Sequence, residues 1–154
     1  EQRAWFARPS ERQTVLLNST MIPNRDHLEP LVTDGVVITG DNHVQGANVL
    51  ERGNSRVGLE VMCGAATSRS DDPDLSDRME YVSRRTRGYT VVDIRPDEGV
   101  EVTFVNGDVE RLQPTQRMEA RTALRADWKS WTLRDVSRAQ GLSAPATSLE
   151  RGGR

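Results

Sequence analysis

The chain holds one cysteine, one lysine and no long apolar run. The lone Cys63 excludes an intrachain disulfide and any zinc site built from several cysteines. Lys129 is the single lysine among 21 basic residues, the rest being arginine. We read that bias as base composition of the coding sequence rather than as chemistry. No apolar stretch approaches the roughly 18 residues of a membrane helix, so no span is expected. No charged start leads into an apolar stretch, so no signal peptide is expected in these residues. An excess of one charge is also missing. The 21 basic and 23 acidic side chains leave a net charge of −2, which gives no basic footprint for nucleic acid.

What is present suits one domain with a modest core. The length of 154 residues is close to the common domain size of roughly 100–150. Hydrophobic residues make up 35%, so the core is not generous. Glu1–Arg8 reads as a helix end, stopped by Pro9-Ser10. Thr14–Asn18 is an apolar run of strand length. Ser19–Asp34 is a polar connection with two prolines. Gly35–Gly40 (GVVITG) has a β-branched centre bounded by glycines, the mark of a buried strand. Val57–Met62 is a further strand, followed by a turn of small residues.

Ser68–Arg87 is long and charged. It is expected to be an exposed loop with one helical turn around Leu75–Tyr81. Tyr89–Ile94 and Val100–Val105 are β-rich and joined by Arg95–Gly99, which suits an antiparallel hairpin. Val91 and Asp93 should share one face, and Val92 and Ile94 the other. Val109–Leu112 would add a short third strand. Met118–Arg125 is expected to be helical, and Ser130–Val136 an edge strand. Ser143–Arg154 is small, polar and glycine-rich, and is expected to be disordered. The domain therefore spans 1–142, with a tail over 143–154.

The sharpest local feature is Gly40-Asp41-Asn42-His43. A buried strand ends, and a carboxylate and an imidazole follow two residues apart. Ligands gather outside the carboxyl ends of strands in open α/β architectures. A carboxylate suits a hard cation there, and an imidazole suits iron or zinc. The plainer reading is a turn capped by Asp41 with a histidine beside it. Other candidates also have plain readings. Asp71, Asp72, Asp74 and Asp77 lack the EF-hand spacing and read as a solvated loop. Arg84, Arg85 and Arg87 suit a phosphate ester but equally an exposed run before a strand. His27 reads as solvated or capping, and Cys63 as a small buried strand residue. Glu60 faces either a polar site or the wet side of the sheet. Trp128 and Trp131 read as packing anchors. Asn18-Ser19-Thr20 fits a glycosylation sequon.

Gly35–His43 (GVVITGDNH) resembles the late metal-binding segment of the PhoD-like alkaline phosphatases, a branch of the calcineurin-like metallophosphoesterases. Gln2–Phe6 with Thr14–Asn18 resembles that family's helix and following strand. Val57–Ser68 (VGLEVMCGAATS) is similar to its strand and turn. Arg87–Ile94 followed by Val100–Val105 resembles its Arg-Gly-Tyr hairpin, and Trp131–Leu142 its last strand and turn. The resemblance implies an α+β fold, here the β-rich C-terminal portion of a sheet sandwich flanked by helices. It implies a metal-dependent phosphoric ester hydrolase using iron and calcium, acting on a phosphate ester outside the cell or in the periplasm. Matched residue by residue, Asp41 is the calcium-side ligand and His43 the iron-side ligand. The family's other ligands come from earlier segments with no counterpart here, and Val44-Gln45-Gly46 stands where it has Trp-Ala. The implied metal site is incomplete in this chain, which alone is expected to be inactive. The alternative is a non-catalytic β-rich remnant or binding module that has lost the metal centre.

Overall fold

The computed structural model describes residues 14–18, 35–40, 43–64, 80–83, 86–108 and 119–142. These residues form nine strands: β1 Thr14–Asn18, β2 Gly35–Thr39, β3 Gln45–Arg52, β4 Ser55–Cys63, β5 Tyr81–Ser83, β6 Thr86–Arg95, β7 Gly99–Asp108, β8 Glu119–Ala126 and β9 Leu133–Asp135. A short 3-10 turn follows at Arg138–Gln140. Among the described residues there is no α-helix. The flanking helices implied by the resemblance, the tail over 143–154 and the strand at 109–112 all lie outside the described residues.

The strands build two sheets. The first runs β1-β2-β4-β3-β5, with β1, β2 and β4 parallel and β3 antiparallel to both β4 and β5. The second is an antiparallel meander, β6-β7-β8-β9. Alternation along each strand decides what faces inward. Val36 of β2, Ala47 and Val49 of β3, and Leu59 and Val61 of β4 meet Val100, Val102 and Phe104 of β7 and Leu124 and Ala126 of β8 in one core. Each large aliphatic side chain buried there contributes about 1.5–3 kcal/mol relative to exposure. Tyr81 stacks on Phe104 at 4.7 Å between ring centres, and its hydroxyl donates to Thr122 Oγ1 at 3.2 Å.

The expected hairpin is present. Tyr89 pairs with Val105 and Ile94 with Val100. Val91 and Asp93 lie on the outer face, while Val92 packs on the core. Of the helix expected over Met118–Arg125, Met118 lies outside the described residues and the rest belongs to strand β8. Its Thr122, Leu124 and Ala126 repeat every second residue and are buried, and pairing with β7 overrides the helical preference of its Ala, Glu and Arg. Of the helical turn expected around Leu75–Tyr81, residues 75–79 lie outside the described residues, while Tyr81 belongs to strand β5, where it pairs with Ala47.

The expected edge strand at 130–136 shrinks to Leu133–Asp135. Before it, the Asp127 carboxylate accepts from the backbone of Lys129 at 3.1 Å and of Ser130 at 2.7 Å, and from the Ser130 hydroxyl at 2.6 Å. That turn brings the Trp131 N–H back to the Asp127 carbonyl at 3.0 Å. Trp131 takes φ +50° and is fully buried. Trp128 meets it edge-on at 5.3 Å and donates from Nε1 to the Arg95 carbonyl at 2.7 Å. Both tryptophans are packing anchors, as expected.

Candidate metal centre at the tips of the parallel strands

Because β1, β2 and β4 are parallel, their C-terminal ends share one edge of the first sheet. Asn18 pairs with Thr39, and Thr39 with Met62. Strand β3 starts at that same edge, where Gln45 pairs with Cys63. Gly35–Thr39 is the buried strand that the sequence predicts. The chain leaves it at Gly40 and re-enters the sheet at Gln45. Asp41 and Asn42 lie outside the described residues.

His43 sits in this crossing, half-buried, with φ +48°. A left-handed backbone at a non-glycine residue costs about 1–3 kcal/mol and persists where neighbours over-determine it. His43 thus stands at the strand tips, as the sequence predicts.

Gln45 is 1% exposed, and its amide crosses to the second sheet. Nε2 donates to the Tyr89 carbonyl at 3.0 Å and to the Val105 carbonyl at 3.4 Å. Its Oε1 accepts from Asn106 Nδ2 at 3.2 Å. Gly64, at φ +78°, lies against it: a Cβ on Gly64 would fall on Gln45 Cγ, so only glycine fits. Neither Gln45 nor Asn106 stands out in the sequence. The sequence suggests a turn at Asn106-Gly107-Asp108, which instead lies within strand β7, and it shows Gln45 as a departure from the family pattern. A polar residue opening a strand among apolar ones was the available signal.

Cys63 ends β4, half-buried, and burial pushes its thiol pKa up. A raised thiol pKa disfavours the thiolate that binds metal, which agrees with a structural cysteine. Thr90 Oγ1 donates to the Cys63 carbonyl at 3.2 Å, a second tie between the sheets near this edge. Glu60 is 2% exposed, so it does not lie on a wet face. It pairs with Val37 and Asn48, on the face turned away from the second sheet. On that face Thr39 and Asn48 are also buried.

Among the described residues, no group of three or more His, Cys, Asp or Glu side chains could hold a metal ion. These residues therefore do not by themselves fit a two-metal centre, whose hard ions take six or more ligands. Arg87 lies in β6 opposite Gly107. His27, Asp71, Asp72, Asp74, Asp77, Arg84 and Arg85 lie outside the described residues. No helix among the described residues is long and apolar enough to cross a membrane.

Neither a sequence-family profile nor a curated protein sequence matches the chain. Its fold is similar to a solved structure of PhoD, with a TM-score of 0.50 and 18% identity. The match covers 81% of this chain and 25% of the PhoD chain, so the chain spans about a quarter of that protein's length. At this identity the likeness is one of fold: a β-rich, two-sheet portion of a PhoD-like architecture.

Proposed function

We propose that the chain is the C-terminal portion of a PhoD-like phosphoric ester hydrolase, with Asp41 and His43 as its contribution to the metal site. The observation that carries this reading is the left-handed turn at His43, at the shared tip of three parallel strands within a PhoD-like fold. In this reading His43 holds the iron-side ion and Asp41 the calcium-side ion, and earlier polypeptide completes the site. The substrate is a phosphate ester, and the location is extracellular or periplasmic. When bound, such ions supply electrophilic stabilisation of the ester oxygens and an acidified water. In this reading the chain supplies the His43 imidazole, at the strand tip, and the carboxylate of Asp41, two residues before it in sequence. The second reading, a non-catalytic β-rich remnant or binding module that has lost the metal centre, is supported by Val44-Gln45-Gly46, which stands where the resembled family has Trp-Ala.

The two readings separate in a Co2+ titration followed by NMR. Co2+ accepts the same nitrogen and oxygen donors as iron and broadens nearby signals even when binding is weak. The hydrolase reading expects the signals of His43, Gly40 and Val44 to broaden first. It expects His43→Ala to abolish that selectivity. Uniform broadening of all surface histidine and carboxylate signals, unchanged in His43→Ala, would leave only the remnant.

A further inference from the structure

We infer that Gln45 is the positioning residue for His43, acting through a buried polar cross-link between the two sheets. The metal reading gives this role its purpose, but the placement itself stands on geometry. Both N–H groups of the Gln45 amide are aimed at carbonyls of the second sheet, those of Tyr89 and Val105. The amide oxygen is taken by Asn106, which is itself 2% exposed. The side-chain stem occupies the space that a Cβ on Gly64 would need. Hydrogen bonds and sterics thus fix Gln45 from three sides.

The backbone it fixes is the first residue of β3, two positions after His43. Val44, between them, is 1% exposed. A residue that only filled this space would be apolar, since a buried amide is worth keeping only if every partner is in place. The cross-link instead ties the start of β3 to β6 and β7. It does so at the edge where the chain turns through a left-handed histidine.

The test uses the whole chain without metal. Gln45→Met keeps the stem and removes the amide. Asn106→Ala removes one arm of the link. Ser137→Ala, which deletes a buried hydroxyl that accepts from the Ala123 N–H, is a control on the second sheet. The readouts are amide hydrogen exchange and the His43 ring resonances. In Gln45→Met we expect amides 43–46 to exchange at least tenfold faster and the His43 ring signals to move, while amides 100–104 keep their rates. Asn106→Ala should shift the same residues by less. Ser137→Ala should leave them alone. A folded Gln45→Met with unchanged 43–46 exchange and His43 signals overturns the inference. So does a uniform acceleration across both sheets, which would make Gln45 a general stabiliser. If Gln45→Met does not fold, Asn106→Ala decides on the same two readouts. Local exchange changes together with a failed Co2+ titration would remove the metal reading and leave the positioning role in place.

Discussion

Glu101 and Arg125 face each other across β7 and β8, and one carboxylate oxygen takes two bonds from one guanidinium, at 3.0 Å from Nε and 2.5 Å from Nη2. Glu101 is 8% exposed, and its other oxygen accepts from Gln140 at 2.5 Å. The Arg125 guanidinium, then the Gln140 amide and the charge of Arg95, hold the Glu101 carboxyl below its ordinary range despite burial. A depressed folded-state pKa means stability that is present above the unfolded value and is lost as pH falls through the folded one. We expect Glu101→Gln to cost about 2 kcal/mol at pH 7, the scale of hydrogen bonds to a charged group. The gap between the variant and the parent should close as pH drops below the usual glutamate value of about 4.3. Urea unfolding of both proteins at pH 7 and pH 3 measures it. A pH-independent gap would mean that the charge contributes nothing.

Gly88 of β6 has no room for a methyl group. A Cβ there would fall on the Val105 carbonyl oxygen, which is backbone and cannot swing aside. Gly88→Ala should therefore destabilise the hairpin by about 1–3 kcal/mol, the usual cost of overpacking. Amides of β6 and β7 should lose exchange protection before those of β3 and β4. Equal stability of variant and parent in urea would contradict this.

Asp127 closes the turn that delivers Trp131 to the core. The Ser130 hydroxyl, then the Ser130 and Lys129 N–H groups, keep its carboxyl below the ordinary range. Asp127→Ala removes the acceptor for all three and should cost about 1–2 kcal/mol. Because Trp131 is fully buried behind that turn, its emission should shift to the red as the turn loosens. Tryptophan fluorescence read alongside thermal unfolding checks both effects in one sample.

Activity should be absent from this chain alone. With purified protein, added iron and calcium, and a chromogenic phosphate ester, we expect turnover no faster than in His43→Ala. On the hydrolase reading this chain offers only Asp41 and His43, and two ligands cannot offset the cost of stripping water from hard ions; without ions no attacking water is acidified. Robust turnover that disappears in His43→Ala would show a further ligand set in the segments assigned structural roles above.

The legible parts of the sequence were those where polarity and burial agree. Gly35–Thr39 and the β6–β7 pair carry β-branched residues in runs or alternation, and both are strands; Val92 packs on the core, whereas Ile94, beside the turn, is exposed. Strand β3 was invisible because it opens Gln-Gly-Ala-Asn, yet every residue from Gln45 to Leu50 is buried. Gln45 lies inside because it has partners across the sheets, and no local window shows those partners. Strand β8 reads as a helix for the opposite reason: Glu119, Ala120 and Arg121 favour a helix locally, and pairing with β7 decides otherwise. At the candidate centre His43 was legible as a strand-tip residue, whereas its left-handed backbone was not. Nothing in the Asn-His-Val sequence requires φ +48°.

The two sheets differ in how far along the chain each pairing reaches. Every strand of the meander bonds to its neighbour in sequence, and the β6–β7 pair is closed by a tight turn in which Glu98 N–H reaches the Arg95 carbonyl at 3.1 Å. The parallel pairs instead join Thr14 to Gly35 and Gly35 to Gly58. Loop closure must be completed before such distant contacts can return any energy, so local hairpins have the kinetic advantage. During refolding the meander should protect its amides first, followed by the β3–β4 hairpin, with β1 arriving last. His43 would then acquire its final backbone only after the scaffold that Gln45 reaches across to is already standing.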